Sequence, residues 1–531
     1  MRQRTTFFHK NEDGIEPTDL KVAGRTISGP DLLAVREDRI TLGLEELPTE
    51  LRELLKETHE LHIRWVSPNP HESIGPWNSR LPPGLHVFYT PGQGGEKTGS
   101  SPELLCPLIR NTFGVSDCST LLDSFTRLPN DRFSHSTAYQ YYQPLESLAH
   151  FVLYANRYAC TSSSSSGSDC TRQVERLASA TSLDFSYDAI SHTAKLTALW
   201  PHEHQPFSLS SSGLPDHHRV EVGLLTPDES PHIEQHELGV TGLLTVLDGD
   251  DDAKPSPVLF SFPSRHMRAG RPSAFSAEFL APTGLHPTLR LRFDGPARAP
   301  VVEEGVDGEE DEPACSLHAY LTLPRAVFAD RYQLADDNAL FLASKNLTAL
   351  RWASQPVDLE APDYVMKLWG SSVLLELRPP TAAPEEKGQK GQEWTAEIPL
   401  HLRYLAPAPG GYRTVQVPYP AVFWACPADE GTKFPNSPFD RVDLGYDGLF
   451  GPRTQFWHVS PEPSRNPASG PLMNSVRVPV LDLDRSAWVR SGTAAVVLLG
   501  FAWVVWKLVG VYARAGSGGK RNRAEGEKKV Q

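Results

Sequence analysis

The chain has 531 residues, enough for two or three domains, and 39% of them are hydrophobic, which is adequate for ordinary packed cores. Its 39 Gly and 47 Pro favour many turns between short strands over long helices. A net charge of -14, with no basic stripe interleaved with aromatics, argues against nucleic acid as a partner, because phosphate binding needs a positive field over the contact face.

From Met1 to Asn69 the pattern is mixed. A helix is expected over Thr49 to Glu60, with Leu51, Leu54 and Leu55 on one face, followed by a strand from Leu61 to Val66. Leu85 to Tyr89 is a second strand. Gly92 to Thr98 (G-Q-G-G-E-K-T) imitates a phosphate-binding loop, but Glu96 stands where backbone amides would have to approach the phosphates. It is therefore a solvated hairpin loop. Tyr139 to Tyr158 is expected to be helical, with Pro144 near the first turn and Leu145, Leu148, Phe151, Val152 and Ala155 on one face.

The six cysteines are Cys106, Cys118, Cys160, Cys170, Cys315 and Cys426. Cys160 and Cys170 bracket small polar residues and suggest a short disulfide loop, Cys106 with Cys118 could form another, and six cysteines allow fifteen pairings in all. The two-residue spacing typical of zinc ligands is absent.

Between Leu183 and Asp294 short apolar alternations recur: Leu196 to Trp200, Val220 to Leu225, Leu238 to Leu247, Val258 to Phe262 and Leu289 to Phe293. With Pro and Gly between them they read as a sandwich-like β domain. His202, His204, His217, His218, His232 and His236 are expected in exposed loops. The Glu between His232 and His236 is misplaced for a metalloprotease helix. Asp248 to Asp252 starts like a calcium loop, but Lys254 and Leu259 fall where ligands belong, so a solvated turn is expected. Gly295 to Pro313, with its acidic run Glu303 to Glu312, is a linker too poor in apolar groups to fold.

After the linker, Cys315 to Leu323 alternates as a half-buried strand. L-P-R-A-V-F-A-D-R-Y-Q-L (Leu323 to Leu334) follows, then the sequon Asn346-Leu347-Thr348, D-L-E-A-P-D-Y (Asp358 to Tyr364) and I-P-L-H-L-R-Y (Ile398 to Tyr404). A strand from Trp394 to Tyr404 would put Trp394, Ala396, Ile398, Leu400, Leu402 and Tyr404 on one face, with Glu397, His401 and Arg403 on the solvent side. Pro379 to Gly391 reads as a loop. Phe434 to Gly470 reads as a long turn-rich segment leading towards the one long apolar run, Gly492 to Ala513.

That run is long enough for a transmembrane helix, with Trp488, Trp506 and Tyr512 as interfacial anchors and Lys507 able to snorkel. The basic tail, Arg514 to Lys529, puts the C-terminus in the cytosol and argues against a cleaved lipid-anchor signal. The preceding residues then lie in a lumen, although M-R-Q-R-T-T-F-F-H-K has no apolar core of signal-peptide length. The sequon at Asn346 and the six cysteines suit that oxidising compartment.

The strand at Cys315 and the blocks at Leu323, Asp358 and Ile398, in that order, resemble the lumenal region of the PIG-X family, and its fungal members most of all. The resemblance implies a non-catalytic subunit that stabilises the multi-span mannosyltransferase I adding the first mannose to a glycosylphosphatidylinositol (GPI) precursor in the endoplasmic reticulum membrane. It extends to a chaperone-like role for lumenal proteins. It implies no cofactor, and it marks Pro324, Phe328, Asp330, Tyr332, Pro362, Tyr364, His401, Arg403 and Tyr404 as the family's motif and partner positions, with Asn346 as a glycosylation site.

The expected organisation is an N-terminal lumenal region (1–294), an acidic linker (295–313), a family-like lumenal domain (314–490), a transmembrane helix (491–513) and a basic tail (514–531). The fold class is mainly β with a few helices, sandwich-like. Two other classes compete. The chain could itself be a glycosyltransferase, for which an acidic pair such as Asp482-Leu483-Asp484 in the strand-like V-L-D-L-D is weak support, but one span cannot build a lipid-linked donor site. A lectin-like or cargo-binding lumenal module would suit the composition equally, and only the resemblance separates it from the first reading. No Ser/His/Asp order, nucleophile elbow, HExxH or dinucleotide fingerprint gives a hydrolase or oxidoreductase a starting residue.

Overall fold

The computed structural model describes residues 1–72, 74–92, 101–128, 139–160, 166–211, 218–248, 254–270, 274–294, 299–300, 315–354, 358–379, 394–434, 437–440, 444–463 and 470–521. Most of the Gly92 to Thr98 loop, the Ser-rich loop before Cys170, His217, Gly249 to Asp252, the acidic run and the loop over 380–391 lie outside those residues. The chain divides into two compact units: residues 1–403 with 415–476, and residues 404–414 with 477–531.

The larger unit is built on two sheets. The first has eleven strands in the order Ser256–Pro263, Glu237–Val246, Arg219–Asp228, Arg2–Phe8, Leu32–Gly43, Thr193–Gln205, Ser182–Asp188, Thr58–Val66, Gly84–Pro91, Tyr139–Gln143 and Thr126–Arg127. Neighbours run antiparallel except at one place, where Arg2–Phe8 lies parallel to Arg219–Asp228 in the register Arg2 to Arg219 through Phe8 to Leu225. The second sheet runs Leu347–Ala353, Gly370–Leu377, Ser316–Pro324, Ala421–Pro427, Thr454–Pro461, Ala274–Phe279, Thr288–Phe293 and Trp394–Pro399, with His266–Arg268 parallel to Thr454–Pro461 at its side. Strands from before Gly295 and from after Pro313 thus share one sheet.

Alternation along the strands explains the layering. Leu61, Ile63 and Trp65 of Thr58–Val66, with Leu85, Val87 and Tyr89 of Gly84–Pro91, bury against Leu54 and Leu55 of helix Thr49–Lys56, Leu105 and Ile109 of helix Ser101–Phe113, and Phe151 of helix Ala149–Ala159. The alternate residues of the same strands, His62, Arg64, His86 and Phe88, are also buried. Phe88 packs with Tyr320, Phe423, Tyr446 and Phe456, so that the second sheet covers this face. A Leu or Phe hidden in this way contributes about 1.5–3 kcal/mol. Polar contacts stitch the halves together: Trp369 Nε1 donates to the Gln140 carbonyl at 2.9 Å, and Gln140 Nε2 donates to the Tyr320 hydroxyl at 3.1 Å.

All six cysteines are paired, Cys106 with Cys118, Cys160 with Cys170 and Cys315 with Cys426. The last bond ties the adjacent strands Ser316–Pro324 and Ala421–Pro427 and closes a separation of 111 residues.

Several expectations need correction. The helix over Thr49 to Glu60 stops at Lys56, and the next strand begins at Thr58. The helix expected from Tyr139 begins at Ala149, because Y-Q-Y-Y-Q, rich in β-favouring aromatics, pairs with Gly84–Pro91 and Pro144 follows the strand. Phe434 to Gly470 holds the strand Thr454–Pro461 in the interior of the second sheet. Gln455 and His458 are buried there beside Phe456 and Val459, so no polar face marks the strand. His202 and His204 sit on the strand Thr193–Gln205 rather than in a loop.

In the smaller unit, Asp482 Oδ1 accepts from the Asp484 amide at 3.0 Å and Asp484 Oδ2 accepts from the Gly410 amide at 3.1 Å. The acidic pair therefore lies in a short 3-10 turn, Leu483–Arg485, and not on a strand. Helix Ser486–Arg521 follows, and its stretch up to Arg514 is long and apolar enough to cross a membrane, with none of that window buried.

Candidate functional site

The blocks that carry the family resemblance converge in the larger unit. The strand Trp394–Pro399 ends at its proline, and His401–Leu402 changes partner to pair with Val327–Phe328. The Leu402 amide bonds to the Leu285 carbonyl and the Arg403 amide to the Ala326 carbonyl, each at 2.9 Å. This switch breaks the phase expected for Trp394 to Tyr404. Arg403, expected on the solvent side, is 4% exposed, whereas Tyr404, expected inside, is 69% exposed.

The buried guanidinium holds the site together. Arg403 Nη1 donates to the carbonyls of Asp358 (2.5 Å) and Ala361 (2.7 Å), while the guanidinium carbon sits 4.5 Å from the centroid of the Phe328 ring. Block Asp358 to Tyr364 is thereby clamped to block Leu323 to Leu334 by a residue of block Ile398 to Tyr404. Charge-assisted bonds of this kind contribute roughly 1.5–3 kcal/mol, and a desolvated cation over a ring adds on the order of 1–2 kcal/mol. Arg325 repeats the clamp from outside, with Nε 3.2 Å from Asp363 Oδ1 and Nη2 3.3 Å from Asp117 Oδ2. His401 stacks on Phe328 at 5.3 Å, its Nε2 lies 3.1 Å from Gln333 Oε1, and its Nδ1 lies 3.1 Å from His286 Nδ1. Burial and the neighbouring His286 pull its pKa down, against Asp330.

The remaining positions separate by exposure. Phe328 is buried, Pro324 and Pro362 are half-buried, and Asp330 Oδ1 accepts from the Tyr332 amide at 2.8 Å, which turns the chain outward. Tyr332 is 60% and Tyr364 63% exposed. The arrangement is a braced loop pair that leaves two tyrosines exposed. Asn346, in a left-handed conformation at φ 54, donates from Nδ2 to the Thr395 carbonyl at 2.7 Å, and Thr348 is exposed. An amide nitrogen keeps one hydrogen after glycosylation, so this bond and a glycan are compatible.

Sequence reasoning missed Arg325, Gln333 and His286, which lack any periodic signal. It also missed a second polar layer between the sheets. There Arg64 Nε meets Asp184 Oδ1 at 2.6 Å, Arg64 Nη2 meets Asp440 Oδ1 at 2.8 Å, and His62 Nε2 lies 2.9 Å from Asp184. Burial opposes the Asp184 charge, yet Arg64 and His62 hold its pKa at about 2. His266 Nε2 lies 2.9 Å from Asp447 Oδ2, and its Nδ1 lies 2.9 Å from His458 Nε2. No group of three or more His, Cys, Asp or Glu is placed to hold a metal among the described residues.

A mostly β unit and, among the described residues, one apolar helix of membrane-spanning length are consistent with a single-pass membrane protein. Residues 282–509 match the family described as PIG-X / PBN1. The chain is 54% identical over 516 residues to Protein pbn1 of Neurospora crassa, covering 97% of this chain and 96% of that one. It is 44% identical to Protein PBN1 of Gibberella zeae (97% of each chain) and 40% identical to Protein pbn1 of Emericella nidulans (99% and 100%). The chain belongs to the PIG-X / PBN1 family.

Proposed function

We propose that this protein is the non-catalytic, single-span subunit that keeps the multi-span GPI mannosyltransferase I stable in the endoplasmic reticulum membrane, with its large unit lumenal and its tail cytosolic. Family membership supports a role in GPI-anchor biosynthesis. The observation that carries the finer reading is the convergence of the family blocks on Arg403, which spends a buried cation on holding two loops and leaves Tyr332 and Tyr364 outside. Exposed tyrosines on a rigid base are favourable contacts because they offer large amphipathic area at low entropic cost.

The test is depletion and replacement in cells. Tyr332→Ala with Tyr364→Ala should leave the protein at normal abundance but release the catalytic subunit, whose level and the mannosylation of the GPI precursor should then fall. Unchanged co-purification would remove these tyrosines from the interface. Normal enzyme levels after complete depletion would remove the stabilising role altogether. Orientation is read separately: Asn346→Gln should lose one glycan's mass, and the large unit should resist protease in sealed microsomes. Digestion of that unit with the tail spared would reverse the topology.

A further inference from the structure

The apolar helix does not leave the smaller unit as a free rod. The turn that opens it is gripped by the loop 404–412 of the same unit. The Ala408 amide donates to the Leu481 carbonyl at 3.2 Å, the Leu483 amide to the Ala408 carbonyl at 3.1 Å, and the Val480 amide to the Gly411 carbonyl at 3.0 Å. Gly410 and Gly411, at φ 75 and 73, bend the loop so that the Gly410 amide reaches Asp484 Oδ2 at 3.1 Å. Arg477 lies over the Tyr412 ring, its guanidinium carbon 3.9 Å from the centroid. Loop and turn are one bonded piece, continuous with helix Ser486–Arg521.

That piece presents apolar side chains outward: Tyr404, Tyr412, Leu481, Leu483 and Trp488 are each at least 45% exposed. Their level along the helix axis decides what covers them. The apolar stretch Leu483–Arg514 has 32 residues. At 1.5 Å per residue, and with an ordinary tilt of about 20°, it rises about 45 Å along the bilayer normal. A bilayer measures about 30 Å across its hydrocarbon and about 40–45 Å with both headgroup layers. Leu483, and the loop bonded to it, therefore fall at headgroup level. Tyr and Trp favour that level, where the ring meets acyl chains and the polar end meets water. Charge agrees: residues 404–414 and 477–490 hold Arg413, Arg477, Arg485 and Arg490 against Asp482 and Asp484. Both aspartates accept from backbone amides of the piece itself. The surplus is positive, as suits lipid phosphates.

We propose that loop 404–412 and turn 481–485 form a membrane-binding foot that seats in the phospholipid headgroup layer beside the helix, with Tyr412, Leu481 and Leu483 inserted and the arginines on lipid phosphates. The proposal rests on the single-span reading and is independent of the mannosyltransferase one.

The full chain has no free cysteine among its six, so Tyr412→Cys, Leu481→Cys and Leu483→Cys each take one nitroxide label. In vesicles of phosphatidylcholine with phosphatidylserine, label collisions with oxygen, which concentrates in lipid, are compared with collisions with a water-soluble nickel chelate. Leu498→Cys in the apolar stretch and Ile190→Cys, exposed in the larger unit, set the lipid and water limits. Nickel collisions at the three foot positions should be at least about threefold below those at Ile190→Cys. Should a labelled variant fail to fold, the unmodified chain serves: a phospholipid with a photoactivatable headgroup should crosslink within 404–412 and 481–488. The foot is overturned, and its surface left to a protein partner, if the three positions match Ile190→Cys while Leu498→Cys lies in lipid, or if crosslinks map only beyond residue 488. Water-like collisions at Leu498→Cys would remove the single-span reading, and the foot with it.

Discussion

Arg403 shows how much one side chain can decide. It accounts for two loop carbonyls and one face of Phe328 at once, and a lysine in its place could not reproduce two bonds in the guanidinium plane while lying over the ring. Arg403→Lys should therefore destabilise the protein by about 2–3 kcal/mol in urea unfolding, and Arg403→Ala by more. Loss below about 0.5 kcal/mol for Arg403→Lys would show that the clamp is dispensable. In the sequence, Arg403 falls in a polar phase of an alternating run and reads as surface. What reverses it is a change of strand partner after Pro399, a tertiary event that local periodicity does not encode.

Among elements, the legible ones were those in which apolar residues recur at alternate positions of the sequence. Val220 to Leu225, Leu238 to Leu247 and Leu289 to Phe293 were identified as strands by alternation, and all three belong to strands in the structure. Thr454–Pro461 was not, because it is covered on both sides and mixes Gln455 and His458 with Phe456. The apolar helix after Ser486 was legible from length alone. The disulfide Cys315–Cys426 ties the strand that opens the family-like region to Ala421–Pro427, and the chain-entropy cost of closing so long a loop in the unfolded chain is close to 5 kcal/mol, with about 2–4 realised in typical cases. Cys315→Ser with Cys426→Ser should lower unfolding stability by about 2–5 kcal/mol. A smaller effect would mean that sheet pairing alone suffices.

At the scale of the whole molecule, two histidines enclosed within the sheets' cores, His86 and His318, are kept neutral. Burial lowers His86 and His318 to about 4, below the usual value near 6.5. In the window between those values the unfolded chain binds more protons than the folded one. The stability tied to these groups is therefore full above about pH 6.5, falls as pH drops towards 4, and changes little below. Each group contributes a slope on the order of 1.4 kcal/mol per pH unit within the window. Urea unfolding at pH 7.5 and 5.0 should show a marked loss at the lower pH, and His318→Phe should reduce that loss. A flat profile would contradict the buried neutral assignment.

The parallel seam between Arg2–Phe8 and Arg219–Asp228 also fixes an order of events in time. A strand made among the first residues has one of its two neighbours more than two hundred residues later, and the strand Ala274–Phe279 likewise waits for Thr454–Pro461. At roughly 5–20 residues per second, synthesis leaves the first edge open for about ten seconds or more. Through that interval Phe7 and Phe8, both fully buried at the end, have no complete wall to pack on. Nascent chains should consequently stay protease-sensitive near their start until the strand at Arg219 has emerged, a delay that pulse-labelling of stalled chains of increasing length would resolve. A resistant fragment from chains stalled before residue 219 would show that the sheet forms without this seam.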